Sequence, residues 1–423
     1  MEVQERNKLR DYQKEDVQFI LKKKHVGLFN EMRTGKTATA LSAAEQIQGR
    51  VLIICPCCIL PVWKTEINKW CTEKDRYTLI NYEQIRTKPK LVDEFIKQKF
   101  DMIIIDEAHK IKNRKSKTRL AVNRLHAEYQ VALTGTPSTN APWDIWAILN
   151  WLKPYVYRSY WDFIDTYFKC TSNYFSSKIP VDYLPGAKAA LANALSEFCT
   201  NRKMKDVLDW NTTVENLDVF LEPSKTQLKA VNTLMDEFEY ENINTQIVIE
   251  KLARIRQLCL DPCIILTKKV PSAKTKWLKD FLKSYKDSSI VILSTSTKYI
   301  NTVLSDLVDA CVVGETKQQQ RKQIVDDFQN EKIKTLAMNF QIAKEGWTLD
   351  TADYLIIMDI YPPSSDYIQA CKRIVATIPE KVKPKEVIRV RLQGTYDSEL
   401  YDLIDNNCSI TDVINNFANY KRR

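Results

Sequence analysis

Short apolar segments recur along the chain, each followed by a stretch with helical patterning, and they fall into two series. The first series runs from about residue 28 to residue 149, and the second from about residue 290 to residue 392. Such alternation predicts parallel β-sheets covered by helices. At 423 residues the chain is long enough for two or three domains. We therefore expect an α/β fold with two parallel-sheet lobes rather than one large sheet, because chemistry-bearing motifs occur in both series.

Domain and strand boundaries follow from the same pattern. Residues 1–210 are expected to form the first lobe, with a helical insertion at about 154–200. Residues 211–270 are expected to form a helical insertion or linker, and residues 271–423 the second lobe with a C-terminal helical segment. We expect the crossing between lobes at residues 209–213. The predicted strands are residues 51–55, 77–81, 102–106 and 131–134 in the first series, and 290–293, 310–313, 335–339, 354–359 and 387–392 in the second.

The first apolar segment leads into Thr34-Gly35-Lys36-Thr37, after which an alanine-rich helical pattern begins. A loop of this kind directs backbone N–H groups and a helix N-terminus toward a bound anion. Lys36 can reach the outer phosphates of a nucleotide, and the Thr37 hydroxyl can bind Mg²⁺. The full phosphate-loop pattern begins with glycine, whereas this chain has Asn30 at that position.

A second motif, Asp106-Glu107-Ala108-His109, follows the apolar residues 102–105, which are typical of a fully buried parallel strand. A carboxylate at the end of such a strand is where a nucleotide-bound Mg²⁺ finds its protein ligand. The two motifs occur in this order, each at the end of a predicted strand. Together they predict a nucleoside triphosphatase that uses Mg²⁺.

Composition favours an intracellular protein with a polyanionic partner. The chain is 44% hydrophobic and 27% charged, and no apolar run approaches the ~20 residues of a membrane span. Its first residues are polar and lack the apolar core of a signal peptide, so we expect a cytoplasmic protein without a membrane partner. The formal net charge is +10, which favours binding to a polyanion. Eleven scattered cysteines and three histidines favour buried, reduced thiols over a zinc site.

Beyond these features, the chain resembles the superfamily-two helicases, and among them the SWI/SNF-type double-stranded DNA translocases. Its most specific elements are Thr134-Gly135-Thr136-Pro137, similar to the family's coupling motif, and Lys112-Asn113, which trails the acidic motif. The other similar segments are residues 9–13 (adenine reading), 30–37 (phosphate loop), 54–56 and 63–70 (a strand end and a helix facing the nucleic acid), 202–208 (leading out of the first lobe), 252–262 (before the second lobe), 346–359 and 369–373 (the last two motifs).

This resemblance implies two RecA-like lobes that close over ATP and Mg²⁺. Lys36 would neutralise the outer phosphates, while Thr37 and Asp106 would hold Mg²⁺. Glu107 would polarise the attacking water, with a merely supporting carboxylate as the alternative. The other nucleotide-site residues that the resemblance implies are Gln13, Arg33, Thr34, Gly35 and Gly346, with Gln369 and Arg373 as catalytic groups of the second lobe.

Coupling and DNA contacts are implied in the same way. His109, Thr134 and Thr136 would transmit the nucleotide state to the nucleic-acid path, with a simple turn as the alternative for the threonines. Residues 110–119 carry six basic residues in ten, and a solvated face is the alternative for this run. The aromatic residues between 143 and 161 are expected to pack within the insertion rather than stack on bases. Candidates for DNA phosphate contacts are Lys112, Asn113, Lys115, Thr295, Thr297, Lys298 and Asn339.

Besides Asn30, Arg33 and Thr34 in the phosphate loop, one position in the last motif departs from the family pattern. The family's last motif has two arginines, whereas here Arg373 is followed by Ala376 at the second position. Three explanations stay open: an engineered inactivating substitution at Ala376, partial replacement by Lys372 from the same helical face, or Arg373 as the arginine finger itself. We expect ATP and DNA binding with poor turnover.

The function that follows is an ATP-dependent DNA translocase or helicase. We expect it to act as a monomer on duplex or branched DNA in replication, recombination or repair. A compact phage or viral branch-migration enzyme in the host-cell cytoplasm is the form that we expect. The alternatives are an RNA helicase and a nucleic-acid scaffold that binds ATP with little turnover.

Overall fold

Two α/β units make up the chain in this computed structural model, Met1–Asp209 and Trp210–Arg423. The structure describes residues 8–138, 141–173, 176–207, 214–237, 239–240, 243–244, 247–343, 347–362, 364–376, 379–406, 408 and 410–420. The predicted crossing point at residues 209–213 and the predicted nucleotide contact Gly346 lie outside the described residues. None of the described helices combines the length and apolarity that a bilayer span needs.

Eight strands and ten α-helices lie in the described part of the first unit. The strands are β1 His25–Leu28, β2 Val51–Cys55, β3 Tyr77–Asn81, β4 Met102–Asp106, β5 Tyr129–Leu133, β6 Phe168–Asn173, β7 Ser176–Tyr183 and β8 Cys199–Thr200. The helices are α1 Asp11–Lys23, α2 Lys36–Glu45, α3 Leu60–Trp70, α4 Tyr82–Thr87, α5 Pro89–Gln98, α6 Lys117–Val122, α7 Trp146–Leu152, α8 Tyr160–Tyr167, α9 Ala187–Ser196 and α10 Met204–Val207.

The main sheet of this unit has the strand order β3-β2-β4-β5-β1-β8, and every strand pair in it is parallel. All residues of β2 are buried, because helices cover both faces of the sheet. Leu28 pairs with Leu133, and Leu133 pairs with Asp106. The carboxyl ends of β1, β5 and β4 therefore lie side by side, which brings together the three loops that carry the sequence motifs.

The insertion differs from the expected helical one. It contains α8 and α9, but also an antiparallel hairpin of β6 and β7, in which the Phe168 and Tyr183 rings lie 4.7 Å apart. The short strand β8 pairs with β1 at the edge of the main sheet. Trp146 and Trp151 are buried as expected, whereas Tyr155 is 96% exposed. Local patterning missed the hairpin because its strands alternate weakly and depend on each other for pairing.

The second unit repeats the architecture. Among its described residues the strands are β9 Val214–Leu221, β10 Glu239–Tyr240, β11 Ile243–Asn244, β12 Ile290–Ser294, β13 Ala310–Val312, β14 Thr335–Asn339, β15 Tyr354–Ile357 and β16 Lys385–Leu392. Its described helices are α11 Lys225–Glu237, α12 Val248–Leu260, α13 Ala273–Ser284, α14 Thr297–Thr302, α15 Gln318–Gln329, α16 Phe340–Ala343, α17 Ser364–Cys371, α18 Tyr396–Asp405 and α19 Ile410–Ala418.

The second sheet has the order β13-β14-β12-β15-β16-β9, again with parallel pairs throughout. The prediction of two parallel-sheet α/β lobes is thus confirmed. Strand β9 was not predicted, because residues 211–270 were expected to be helical or linking. It pairs along its whole length with β16 and forms the edge of the sheet. Its side chains are mostly exposed, so it lacks the continuous apolar run that marks a buried strand.

Candidate functional site

The loop between β1 and α2 is shaped to surround an anion. Helix α2 begins at Lys36, directly after Gly35, whose φ of 73° is left-handed. The left-handed φ favours glycine there, and a Cβ would lie 2.2 Å from Nε2 of Gln13, so that the end of the Gln13 side chain would have to move. Arg33 also has a positive φ, 65°. The Lys36 ammonium group donates to the carbonyl oxygens of Asn30 at 2.8 Å and Glu31 at 3.0 Å, and it therefore lies inside the loop.

Helix α1 contacts this loop through its first residues. The Tyr12 hydroxyl donates to the carbonyl oxygen of Thr34 at 2.8 Å. Nε2 of Gln13 lies 3.4 Å from the carbonyl oxygens of both Thr34 and Gly35. The structure thus brings the adenine-reading candidate Gln13 against the phosphate-loop candidates Thr34 and Gly35.

Asp106 ends strand β4 in a polar pocket. Its carboxylate accepts hydrogen bonds from the Trp63 indole at 2.8 Å and from the Glu107 N–H at 2.8 Å. The Tyr82 hydroxyl donates to its carbonyl oxygen at 2.6 Å. Burial raises the pKa of Asp106 to about 6, and the Glu107 charge adds to this, while Trp63 and the charge of Lys36 act in the opposite direction. A cation at this carboxylate would favour its ionised form.

Trp63 and Tyr82 were not assigned to the site from the sequence. Trp63 lies in a segment that the resemblance placed on a helix facing nucleic acid, but its side chain is 1% exposed and faces Asp106. Its apolar surroundings on α3 gave no signal that the indole N–H serves a carboxylate.

His109 connects the acidic motif with the threonine motif. Glu107 adopts a left-handed backbone conformation, with φ 49° and ψ 52°. Nδ1 of His109 lies 3.2 Å from a carboxylate oxygen of Glu107 and 3.3 Å from the hydroxyl oxygen of Thr134. The same hydroxyl oxygen accepts from the N–H of Thr136 at 3.1 Å. The four coupling and catalytic candidates Glu107, His109, Thr134 and Thr136 therefore form one continuous chain of polar contacts.

The basic run divides into two groups. Asn113 and Lys115 are exposed, and Nζ of Lys112 lies 3.8 Å from the carboxylate of Asp144. Arg114 and Arg119 turn inward instead. The Arg119 side chain donates to Oδ1 of Asn150 at 2.6 Å, and its guanidinium carbon lies 4.6 Å from the centre of the Trp146 ring. Part of this run therefore serves the core of the first unit.

In the second unit, the polar side chains predicted at strand ends meet around Asp359. Its carboxylate accepts from the Ser294 hydroxyl at 2.6 Å and from the Thr295 N–H at 2.9 Å. Arg256 donates to the Thr295 hydroxyl at 2.7 Å and to Asp359 at 3.2 Å. Nδ2 of Asn339 lies 3.2 Å from the Thr295 carbonyl oxygen. Arg256 and Asp359 were not assigned a role from the sequence, although both lie in segments that resemble family motifs.

A cleft of about 260 Å³ opens at this cluster. Its wall combines cationic and hydroxyl side chains, a set suited to a phosphate group. The polar lining residues are Arg256, Gln257, Thr295, Ser296, Thr297, Lys298 and Asp359.

The last motif lies at the end of α17. Gln369 is buried within this helix, and Arg373 lies in the turn that follows it. Because α17 ends at Cys371, Lys372 and Ala376 do not share a helical face. The idea that Lys372 replaces the missing arginine from one helical face is therefore wrong. Ala376 is 1% exposed.

Comparison with known families matches residues 75–269 to the SNF2-related domain and residues 273–376 to the helicase conserved C-terminal domain. The chain is homologous to the SWI2/SNF2 ATPases. Within this group it is 24% identical to the ISWI chromatin-remodeling complex ATPase ISW1 of Saccharomyces cerevisiae, over 86% of this chain and 37% of that protein. It is 30% identical to the transcription regulatory protein SNF2 of the same yeast, over 36% of this chain and 11% of that protein.

Two further matches have lower sequence identity. The chromodomain-helicase-DNA-binding protein 1-like of Danio rerio is 21% identical over 96% of this chain and 44% of that protein. A solved structure, the Sulfolobus solfataricus SWI2/SNF2 ATPase core in complex with dsDNA, is 21% identical, with a TM-score of 0.43 over 95% of this chain and 91% of that one. The chain spans less than half the length of the curated relatives named here.

Proposed function

We propose that this chain is an ATP-dependent double-stranded DNA translocase. The observation that carries the proposal is the continuous arrangement at the carboxyl ends of β1, β4 and β5. Three motifs lie side by side at this edge of the sheet: the loop that holds Lys36, the Asp106–Glu107 pair, and the contacts of His109 with Thr134 and Thr136. These parts are what phosphoryl transfer requires, since its transition state is stabilised by positioning and charge rather than by covalent chemistry.

The residues present fit a nucleotide with Mg²⁺. Thr37 and Asp106 would hold the ion, because a hydroxyl and a carboxylate are oxygen ligands of the kind that Mg²⁺ prefers. When bound, the ion supplies charge neutralisation at the phosphates. Lys36 would exchange the loop carbonyls of Asn30 and Glu31 for phosphate oxygens. Gln13, in the first turn of α1 and in contact with the loop, would read the base.

Glu107 is the group that we assign to the attacking water. Its left-handed backbone holds the carboxylate beside Nδ1 of His109 at 3.2 Å. A change in the position of Glu107 on hydrolysis would therefore reach Thr134 and Thr136 through His109. Through these contacts, the nucleotide state would be coupled to DNA binding.

DNA binding rests on charge and on exposed polar groups. The net charge is +10; in the first unit Asn113 and Lys115 are exposed, and Lys112 is half-buried beside Asp144. In the second unit, Thr295, Thr297 and Lys298 line the cleft, whereas Asn339 is buried and contacts Thr295 and Thr297 from behind its wall. Contacts of this kind are made to phosphates, so we propose binding without sequence preference.

The cellular role that we propose is the remodelling of branched or protein-bound duplex DNA in replication, recombination or repair. We propose a monomer in the cytoplasm, or in the host cytoplasm if the origin is phage or viral. The name of the yeast relative ISW1, a chromatin-remodeling complex ATPase, supports an ATP-driven role, although this chain spans only 37% of that protein.

The test measures ATP hydrolysis without nucleic acid and with linear duplex, a four-way junction, single-stranded DNA or RNA. Duplex or junction DNA should stimulate turnover most. Stimulation by RNA but not by duplex DNA would reject the DNA translocase and favour the RNA helicase.

A second candidate, an ATP-binding scaffold with little turnover, is favoured by Ala376. Arginine fingers contribute ~10³–10⁵ in turnover, and alanine cannot supply that charge. If this candidate holds, Ala376→Arg should raise kcat at least ~10-fold, although the buried position must open to admit the longer side chain. Brisk DNA-stimulated turnover of the unchanged chain, lost in Arg373→Ala, would assign the finger to Arg373 and reject the scaffold.

A further inference from the structure

The side chain of Asn30, where the phosphate-loop pattern has glycine, lies at the centre of a buried polar network. Its Nδ2 donates to a carboxylate oxygen of Asp16 at 2.7 Å. Its Oδ1 accepts from the Thr200 hydroxyl at 2.9 Å and from the Arg202 N–H at 2.9 Å. The Arg202 Nε donates to the other carboxylate oxygen of Asp16 at 2.8 Å. Asp16 is fully buried and Asn30 nearly so.

This network joins three separate segments. Asp16 lies on α1, which carries Tyr12 and Gln13 against the loop. Asn30 begins the phosphate loop, and its carbonyl oxygen holds Lys36. Arg202 follows β8, in the segment that leads out of the first unit.

Residues 202–204 also bind the loop through their backbone. The N–H of Glu31 donates to the carbonyl oxygen of Arg202 at 2.8 Å, and the N–H of Met204 donates to the carboxylate of Glu31 at 2.8 Å. The loop that holds Lys36 is thus hydrogen-bonded on one side to α1 and on the other to the exit segment.

We propose that Asp16, Asn30 and Arg202 are positioning residues for the nucleotide site. They hold α1 and the phosphate loop in the geometry that binds nucleotide, and they connect nucleotide occupancy to residues 200–204. This inference rests on the proposed function, because it requires that the loop binds a nucleotide.

The arrangement of donors and acceptors explains why residue 30 is an amide. The Asn30 amide donates an N–H to Asp16 and accepts from two donors through its oxygen, a combination that a carboxylate cannot supply. Aspartate at position 30 would place two carboxylates about 2.7 Å apart in a buried setting. Burial already raises the pKa of Asp16, and hydrogen bonds from Arg202 and Asn30 oppose this.

An exchange of amide and carboxylate tests the proposal. Asn30→Asp alone makes two carboxylates face each other. Asp16→Asn alone makes the new amide N–H group face a second donor, on either Arg202 or Asn30. The double variant N30D/D16N restores every hydrogen bond with the same net charge. Its amide at position 16 can donate to the new carboxylate at position 30 and accept from Arg202. Lys203→Ala, an exposed neighbour of Arg202, is the matched control.

Affinity is measured by titration with a fluorescent ATP analogue in the presence of Mg²⁺, with thermal unfolding recorded for each variant. Each single variant should weaken binding at least ~10-fold, as expected for the loss of a buried hydrogen bond to a charged group. The affinity of the double variant should return to within about 3-fold of the wild-type value. The affinity of Lys203→Ala should equal that of the wild type. In steady-state kinetics the single variants should raise KM more than they lower kcat.

Two outcomes would overturn the inference. One is wild-type nucleotide affinity in a folded Asn30→Asp variant. The other is a double variant with restored thermal stability but affinity as weak as that of the single variants, since the network would then serve folding alone. Failure of the wild-type chain to bind the analogue would instead reject the proposed function. Amide exchange at residues 200–204 should slow on addition of the analogue, and an unchanged rate would remove the connection to this segment.

Discussion

At Lys36 and Glu107 the backbone fixes the position of a side chain that we assign to ATP hydrolysis. The Lys36 ammonium is held by carbonyl oxygens of its own loop, and Glu107 takes a left-handed conformation that non-glycine residues rarely adopt. Such a conformation persists only where the surrounding structure enforces it. Here the Asp106 carboxylate accepts the Glu107 N–H and His109 lies against its carboxylate.

The two residues should fail in different ways when changed. Lys36→Ala should abolish ATP hydrolysis and weaken nucleotide binding, because it removes the charge that faces the phosphates. Glu107→Gln should leave nucleotide affinity intact and lower kcat at least ~100-fold, because an amide cannot take a proton from water. Affinity by titration and kcat by a coupled assay separate these effects, with Glu128→Gln as a surface control paired to Lys24. Wild-type turnover in Glu107→Gln would mean that another group activates the water.

At the scale of an element, the basic run at 110–119 serves two purposes in ten residues. Its first part passes through a short 3-10 helix, Ala108–Ile111, and leaves Asn113 and Lys115 exposed. Its last part enters α6, whose Arg119 is 7% exposed. The sequence shows the charges but not the direction in which each side chain points.

The exposed part should contribute to DNA affinity. Lys112→Ala with Lys115→Ala should reduce the magnitude of the slope of log K against log salt by roughly 1–2, because each lost phosphate contact removes about 0.9. The loss should be similar on unrelated sequences. Lys90 and Lys97 on α5 are exposed. A variant with both replaced by alanine is the control, because it removes the same amount of positive charge. An unchanged slope would show that the run is only a solvated face.

The inward part should contribute to stability. Arg119→Ala should lower the free energy of unfolding by ~2 kcal/mol, because it leaves Oδ1 of Asn150 without its charged donor. It should leave the salt slope of DNA binding unchanged. Denaturant unfolding with a parallel binding series checks both. A lower slope with unchanged stability would place Arg119 at the DNA instead of in the core.

For the whole molecule, the second unit contains a buried charge that should make its stability depend on pH. Lys385 opens β16 and is 1% exposed, and it donates to the carbonyl oxygens of Asp350 and Ala352. Burial, with a smaller effect from the Lys383 charge, lowers the pKa of Lys385 from 10.5 to about 8. Protonation of this side chain is therefore less favourable in the folded chain than in the unfolded one, and the folded chain releases the proton at about pH 8.

The sign of the pH effect follows from proton binding. Between about pH 8 and 10.5 the unfolded chain keeps the Lys385 proton while the folded chain has released it. The unfolded state then binds more protons, so the contribution of Lys385 to the free energy of unfolding rises with pH. Relative to Lys385→Met, the wild-type chain should gain stability as pH increases from 7.5 to 10. A constant difference in unfolding free energy between the two would show that Lys385 keeps its charge on folding.

Local patterning was sufficient wherever one segment carried the information. The predicted strands at residues 51–55, 77–81, 102–106 and 335–339 agree with β2, β3, β4 and β14. A continuous apolar run has one stable place in an α/β unit, the buried interior of a parallel sheet. The loop at residues 34–37 was recognisable for a related reason, since its backbone and side-chain groups are contiguous in the chain.

What the sequence by itself determined was the fold class, the number of lobes and the contiguous motifs at strand ends. Only the tertiary structure decided which distant side chains serve those motifs, as with Trp63 at Asp106 and Arg202 at Asn30. It also decided that Val214–Leu221 is a strand, because an exposed edge strand is defined by its partner Lys385–Leu392. Propensity and patterning act within a few residues, whereas these contacts join positions up to 172 residues apart and depend on how the sheet places them.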